Sequence, residues 1–181
     1  MNEVLKEIEE LESSQSFGSV PPSTGRFLHM IILATNAKRV LELGCSLGYS
    51  ALWMAGAVKE NRGHVYTTEI DRERARRAKE HFRKAKMDNV ITLYEEDIFD
   101  VLANWSHGEI DVVFIDAKKE DYLNYYERVL PLVRRGGLII ADDVHKFKEQ
   151  VKPFVEKVKT DSRVVFQLLD LDDGLMIIYK K

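Results

Sequence analysis

Three aspartates and one lysine stand where chemistry is easiest to place. Asp116 closes the run "DVVFID", Lys119 follows three residues later in "FIDAKKEDY", and Asp142 and Asp143 close "GLIIADD". Both runs are short, apolar and rich in β-branched residues, the pattern of buried strands, so the acids fall at two strand ends. If the two strands are neighbours, the three carboxylates converge. Crowded like charges raise one another's pKa unless a positive charge intervenes, and an all-oxygen set suits Mg²⁺, with Ca²⁺ or Mn²⁺ as other candidates. A bound dication would hold a hydroxyl compound and lower the pKa of its oxygen, and Lys119, on the first turn of the next helix, would take the proton. The competing reading makes the aspartates turn or cap residues and Lys118 and Lys119 a solvated face. His145, beside the acids, reads as a cap or pocket wall rather than a ligand.

A second group of residues reads as a cofactor site. "VLELGCSLGYSALWMA", Val40 to Ala55, has the form of a buried strand, a tight glycine turn and a helix. Gly44 and Gly48 let the backbone bend and let a ligand approach the peptide. Unpaired N–H groups near Tyr49 and Ser50, at the start of the helix, suit a carboxylate or a phosphate. The spacing departs from the dinucleotide fingerprint, and two acids discriminate further. Glu42, within the strand, can hold the cationic amino group of a methionine moiety or order the loop, but would repel a pyrophosphate. Glu69, ending "VYTTEI" 21 residues after Gly48, can take both ribose hydroxyls. Both favour S-adenosylmethionine (SAM) over NAD. Asp97 is placed to reach an adenine amino group, although an acid there also makes a good helix cap. Cys45 reads as a small buried filler. With an activated hydroxyl beside a methyl donor, the implied chemistry is O-methylation.

The elements that must position these residues follow from periodicity. Val4, Leu5, Ile8 and Leu11 recur at helical spacing, and "SSQSFGSVPPSTG" breaks the pattern, so residues 1–24 read as a helix and linker flap. Ser23 or Thr24 is the expected cap of a second helix. From Arg39 the runs "RVLEL", "HVYTTEI", "VITLYE", "DVVFID" and "GLIIAD" alternate with helical stretches, which predicts a parallel sheet covered on both faces. "RVVFQLLDL" and "GLMIIYKK" lie too close together for a crossover helix and are expected to form an antiparallel hairpin. The expected fold is α/β: a Rossmann-like sheet of seven strands in one domain over residues 1–181, the pattern of class I SAM methyltransferases. Tyr122, Tyr125 and Tyr126 have the spacing of core or dimer contacts.

Composition bounds the alternatives. The 181 residues carry a net charge of −3, which gives no general reason to expect a polyanionic partner. The lone cysteine fits a reducing compartment, the acidic start is unlike a signal peptide, and no stretch approaches the length of a membrane span. A cytoplasmic protein with no membrane partner is expected.

"VLELGCSLGYSALWMA", "VYTTEID", "VFIDAKKEDYLNYYERVLPLVRRGGLIIADDV" and "DGLMIIYKK" together resemble the cation-dependent O-methyltransferases, the family of catechol and caffeoyl-CoA O-methyltransferases and their small prokaryotic relatives. The resemblance runs from about Val20 to the C-terminus. It implies Asp116, Asp142 and Asp143 as metal ligands, Lys119 as the catalytic lysine, Glu69 as the ribose acid, and Ser50 as the serine meeting the methionine carboxylate. The expected cofactor-binding set is Val20, Glu42, Gly44, Ser46, Gly48, Tyr49, Ser50, Glu69, Ile70, Asp97 and Asp116. It further implies in-line methyl transfer from the sulphonium to a metal-held hydroxyl of a catechol-like acceptor, and a homodimer with the first helix and the tyrosine-bearing helix as candidate contacts. Asp143 stands where the family usually has Asn, and Lys118, where many relatives have Asp, is expected to offset the added charge. Ser46 replaces the middle glycine of the commonest methyltransferase loop, and the N-terminal region that helps close the substrate pocket in longer members is short here. Two other functions compete: methylation of a hydroxylated wobble uridine in tRNA, for which "RERARRAKEHFRKAK" supplies interrupted positive charge, and a SAM-binding scaffold without catalysis.

Overall fold

Along each of the inner strands, alternate apolar side chains supply two different cores. In the computed structural model, which describes residues 1–181, β1 (Arg39–Leu43), β2 (His64–Thr68), β3 (Ile91–Tyr94), β4 (Ile110–Ile115), β5 (Val133–Ala141), β6 (Val164–Leu169) and β7 (Leu175–Lys180) form one sheet in the order β3-β2-β1-β4-β5-β7-β6. The first five are parallel, and β7 runs antiparallel to both β5 and β6. This is the sheet expected, terminal hairpin included.

On one face Val40, Val112, Phe114 and Ile140 pack with helices α1 (Asn2–Ser14), α2 (Pro22–Ala34), α3 (Tyr49–Glu60) and α4 (Arg72–Lys84). On the other, Leu41, Val113, Ile115 and Ile139 meet α5 (Ile98–Ala103), α6 (Tyr122–Leu132) and α7 (Lys152–Thr160). With both faces covered, the parallel strands are apolar on each side, and every side chain in the last four residues of β1 is buried. No helix is long and apolar enough to cross a membrane.

Three local expectations need correction. The first helix is no flap: its stripe of Val4, Leu5 and Ile8 is buried in the core beside α3. Neither Ser23 nor Thr24 caps α2, which begins one residue earlier, at Pro22. Both lie in its first turn, and the cap comes from elsewhere in the chain. The Asp172 carboxylate, in the β6–β7 turn, accepts hydrogen bonds from Thr24 N–H (3.1 Å), Thr24 Oγ1 (2.8 Å) and Ser23 Oγ (2.6 Å). Proline at N1 has no N–H to satisfy, and Asp172 takes the Thr24 N–H of this end. Finally, β5 begins at Val133 rather than at Gly137, because Val133 still pairs with Ile110 across a register break. Lys180 Nζ donates to the Leu130 and Val133 carbonyls at 2.9 and 2.6 Å, closing the end of α6.

Asp172 has a positive φ of 49°, a conformation asparagine shares more readily than alanine. Asp172→Ala is expected to lower the free energy of urea unfolding by about 1–2 kcal/mol, and Asp172→Asn by less, since it keeps the turn and an acceptor oxygen. An equal loss in both variants would place the contribution in the charge rather than in the cap.

Candidate active site

Parallel pairing brings the carboxyl ends of β1, β4 and β5 side by side, and a cavity of about 670 Å³ opens there. Gly44 fixes its geometry. The residue has φ +98°, and a Cβ on it would lie 2.1 Å from the carbonyl oxygen of Asp116, so only glycine lets the turn after β1 press against the end of β4. Gly48, at φ +87°, packs instead against Phe82 and acts from below the cavity, which it does not line.

Around the turn, hydrogen bonds order what a ligand would meet. Ser46 takes φ +49°, the left-handed conformation that a middle glycine would adopt freely. Its N–H donates to Glu69 Oε2 at 2.8 Å and its hydroxyl to the Phe17 carbonyl at 2.9 Å. Glu69 also accepts from Asp71 N–H at 2.9 Å, while the cap of α4 is Asp71 itself, bonded to the N–H groups of Glu73 and Arg74. Glu69 is thus held by backbone at the cavity wall. Asp97 has both suggested roles available, lining the cavity and capping α5 through Phe99 N–H at 2.7 Å. Val20, Tyr49, Ser50 and Ile70 line the same space, as do Cys45 and Asp116.

Glu42 is a correction. It does not reach the cavity: it is fully buried, and its two oxygens accept from Ser50 Oγ and Thr67 Oγ1, each at 2.5 Å. A carboxylate in mid-strand points into the covered layer under the turn, where it can orient Ser50 but cannot touch a ligand. Burial pushes its pKa up to about 7 against those two hydrogen bonds, with Asp116 and Glu69 adding to the rise.

Of the three acids expected to converge, Asp142 is buried and does not line the cavity, while Asp116 and Asp143 meet around Lys119. Its Nζ lies 2.7 Å from Asp116 Oδ1, 2.7 Å from Asp143 Oδ2 and 2.9 Å from Tyr122 Oη. Lys119 opens a single 3-10 turn, Lys119–Asp121, that leads into α6. Burial alone would lower the Lys119 pKa, but the two aspartates outweigh it and raise it, so the side chain is an ammonium ion in this arrangement. Asp142 is 4 % exposed with no cationic partner, and Oδ1 accepts only the Asp143 N–H, at 2.8 Å. Burial, then Asp116 and Asp143, drive its pKa well above the usual carboxylate range. No three acidic, histidine or cysteine side chains gather around one point in a way that could hold a metal ion. The donor set is nonetheless the oxygen-only kind a hard dication takes, and it carries more negative charge than Lys119 balances.

The lysine that answers the charge of Asp143 is therefore Lys119. Lys118, expected in that role, is largely exposed and turns to Asp121 at 3.4 Å. Asp143 has φ +63°, a conformation that Asn and Asp both tolerate, which explains why either can stand there. His145 packs over Gly174 and faces Asp170 at 3.6 Å, outside the cavity.

Several cavity residues have no clear mark in the sequence. Ser16, Phe17, Gly18 and Ser19, in the linker between α1 and α2, form one wall, and Arg74 and Phe147 stand at others. Tyr125, expected to serve as core or dimer contact, is 4 % exposed yet lines the cavity. Lys118, Asp121 and Tyr125 recur at steps of three and four, and that spacing was the available signal.

The Glu42 environment has a consequence for stability. Its folded pKa stands above the usual 4.5, so its stabilising contribution is present below that value and is lost as pH rises through about 7. Glu42→Gln removes that loss. The variant is expected to gain on the wild type by up to about 3 kcal/mol between pH 5 and pH 8, at about 1.4 kcal/mol per pKa unit. Thermal unfolding across that range checks it, and a pH-independent difference would contradict it.

Comparison with known proteins agrees with this geometry. The chain is 29 % identical, over an alignment 201 positions long including gaps, to a caffeoyl-CoA O-methyltransferase of Medicago sativa, covering 97 % of this chain and 81 % of that protein. It is 36 % identical over 129 residues to a catechol O-methyltransferase of Niastella koreensis, covering 70 % of this chain and 58 % of that one. An O-methyltransferase from Bacillus cereus, solved in complex with SAH, shares the fold with a TM-score of 0.89 at 24 % identity, over 99 % of this chain and 91 % of that one. A sequence profile for the family described as O-methyltransferase matches residues 1–181, and the chain therefore belongs to the O-methyltransferase family.

Proposed function

We propose that this protein transfers the methyl group of SAM to a hydroxyl of a small catechol-like acceptor, and that the reaction needs a divalent cation. One observation carries the reading: a single cavity has the glycine turn with Glu69 on one wall and Lys119, Asp116 and Asp143 on another. A methyl donor and a hydroxyl acceptor lodged in that space would be neighbours, and positioning accounts for much of the rate in a bimolecular transfer.

On the donor side, Glu69 offers its carboxylate to the ribose hydroxyls, the backbone N–H groups of Tyr49 and Ser50 at the start of α3 offer donors to the methionine carboxylate, and Asp97 is within the same cavity for the adenine amino group. Glu42 acts beneath them by holding Ser50. On the acceptor side, Phe147, Phe99 and Tyr125 present aromatic surface, and the Phe147 ring lies 5.7 Å from Lys119 Nζ. That surface suits a flat phenolic ring.

Asp116, Asp142 and Asp143 would hold the cation, which when bound supplies the charge that lets a hydroxyl ionise near neutral pH. Lys119 is the residue placed to exchange the proton. While it grips Asp116 and Asp143 it stays protonated. Once those carboxylates are neutralised, burial is the remaining influence and lowers its pKa, which makes it a base.

Less supports a polyanionic substrate. On α4, Arg76 pairs with Glu73 and Glu80, Lys79 with Glu95, and Lys84 with Glu7, so much of the positive charge is already answered.

The reading separates two variants. Lys119→Ala is expected to lower kcat for catechol methylation by at least about 100-fold, the usual scale of general acid–base catalysis, with SAH affinity unchanged. Glu69→Ala is expected to weaken SAH binding instead. Isothermal titration with SAH and steady-state kinetics read the two effects, and normal turnover in Lys119→Ala would remove the lysine from the mechanism.

A further inference from the structure

An open sheet leaves backbone unpaired at its two edges, and here the edges differ. β3 is four residues long and runs straight into Glu95 and Glu96. At the other end of the sheet, β6 is the six-residue run Val164–Leu169, with no charged residue, proline or glycine. It pairs with β7 in unbroken register from Val164 to Leu169, so no bulge turns it away. Edge strands that stay single usually carry one of those devices, because a bare edge is a template for another strand.

The direction of each backbone group on β6 follows from one bond. Lys181 N–H donates to the Arg163 carbonyl at 2.9 Å. Bonded residues alternate in an antiparallel pair, so Arg163, Val165, Gln167 and Leu169 face β7, while Val164, Phe166 and Leu168 present N–H and C=O to the open side. Two of these groups are answered locally: Val164 N–H reaches the Asp161 carbonyl at 3.3 Å, and the Leu168 carbonyl accepts from the Gln167 side chain at 2.8 Å. The N–H and C=O of Phe166, the Val164 carbonyl and the Leu168 N–H have no partner in the chain.

Side chains along the edge are apolar and wet. Val165 is 56 % exposed, and Tyr179, its cross-strand neighbour, is 46 % exposed. The ends carry opposite charges. Arg163 precedes the strand and holds Asp161, and Asp170 follows it with a side chain 97 % exposed that faces His145 at 3.6 Å. A second copy laid parallel would set like charges together. Laid antiparallel, it sets Arg163 of each copy beside Asp170 of the other, so the edge is complementary to itself in charge as well as in hydrogen bonding.

We propose that β6 is a self-association surface at which two copies of this chain pair the strand antiparallel about Phe166, extending one sheet across both. The arrangement is a two-fold, isologous one. In this register Phe166 bonds reciprocally to the partner's Phe166, Leu168 N–H bonds to the partner's Val164 carbonyl, and Val165 stands opposite the partner's Gln167. By contrast, α1 and α6 keep Val4, Leu5, Ile8, Tyr122 and Tyr126 buried within the chain. The edge is small beside a standard interface, so a dissociation constant in the micromolar range is expected. The surface is independent of the function proposed above.

Sedimentation velocity of the full chain, from micromolar to submillimolar concentration, is expected to show a reversible monomer–dimer equilibrium. Asp170→Lys should raise the dissociation constant about tenfold, since it turns an attractive pair at each end of the strands into a repulsive one. Leu168→Pro removes an N–H from the open edge but none from the ladder with β7, and should abolish the dimer. If thermal melting shows that Leu168→Pro does not fold, Asp170→Lys decides. A chain carrying both Val165→Cys and Gln167→Cys should cross-link to a covalent dimer under mild oxidation, because these positions face each other in a close, non-bonded pair, and neither single substitution should. A monomer at every concentration, a dimer indifferent to Asp170→Lys, or a double-cysteine chain that does not cross-link would each overturn the proposal.

Discussion

Too many carboxylates share too little positive charge at the carboxyl ends of β1, β4 and β5. Glu42, Asp116, Asp142 and Asp143 lie within one buried or half-buried region, and Lys119 is the cation paired among them. Each unbalanced carboxylate is costly out of water. The consequences can be read residue by residue: Glu42 is pushed towards neutrality, Asp142 higher still above its ordinary range, and Lys119 is locked as an ammonium between two partners. On the function proposed above, a cation would answer that imbalance and change what the lysine can do.

The fold makes the imbalance unavoidable. In a parallel sheet covered on both faces, the strand ends are where polar side chains can emerge, and pairing of β1 with β4 and of β4 with β5 aligns three such ends. Gly44 then draws the first turn against the Asp116 backbone, so the residues suited to a cofactor and those suited to an acceptor share one cavity. Asp172 and Lys180, both from the terminal hairpin, close helix ends in other parts of the chain and tie the last strands to α2 and α6.

What the sequence made legible were features set by local pattern. The alternation of apolar runs and amphipathic stretches foretold seven strands and a terminal hairpin, and the acids after "DVVFI" and "GLIIA" were placed at neighbouring strand ends because adjacent parallel strands put them there. Side-chain direction was harder. Glu42 sits two residues before Gly44 and looked like a ligand, but the pleat turns it under the loop. Long-range partners were invisible: nothing near Ser23 announces Asp172, 149 positions away, and nothing near Lys118 says that its neighbour will answer Asp143. The linker wall from Ser16 to Ser19 was read as a break between helices, since a stretch without periodicity gives no sign of what it covers.

The measurement that bears most directly on the account is methyl transfer from labelled SAM to catechol, with Mg²⁺ and again with EDTA in excess. The account predicts label on the catechol oxygen in the first case and none in the second, restored when Mg²⁺ is added back. Transfer that proceeds equally in EDTA would contradict it, because the charge imbalance around Asp116, Asp142 and Asp143 would then serve the lysine alone.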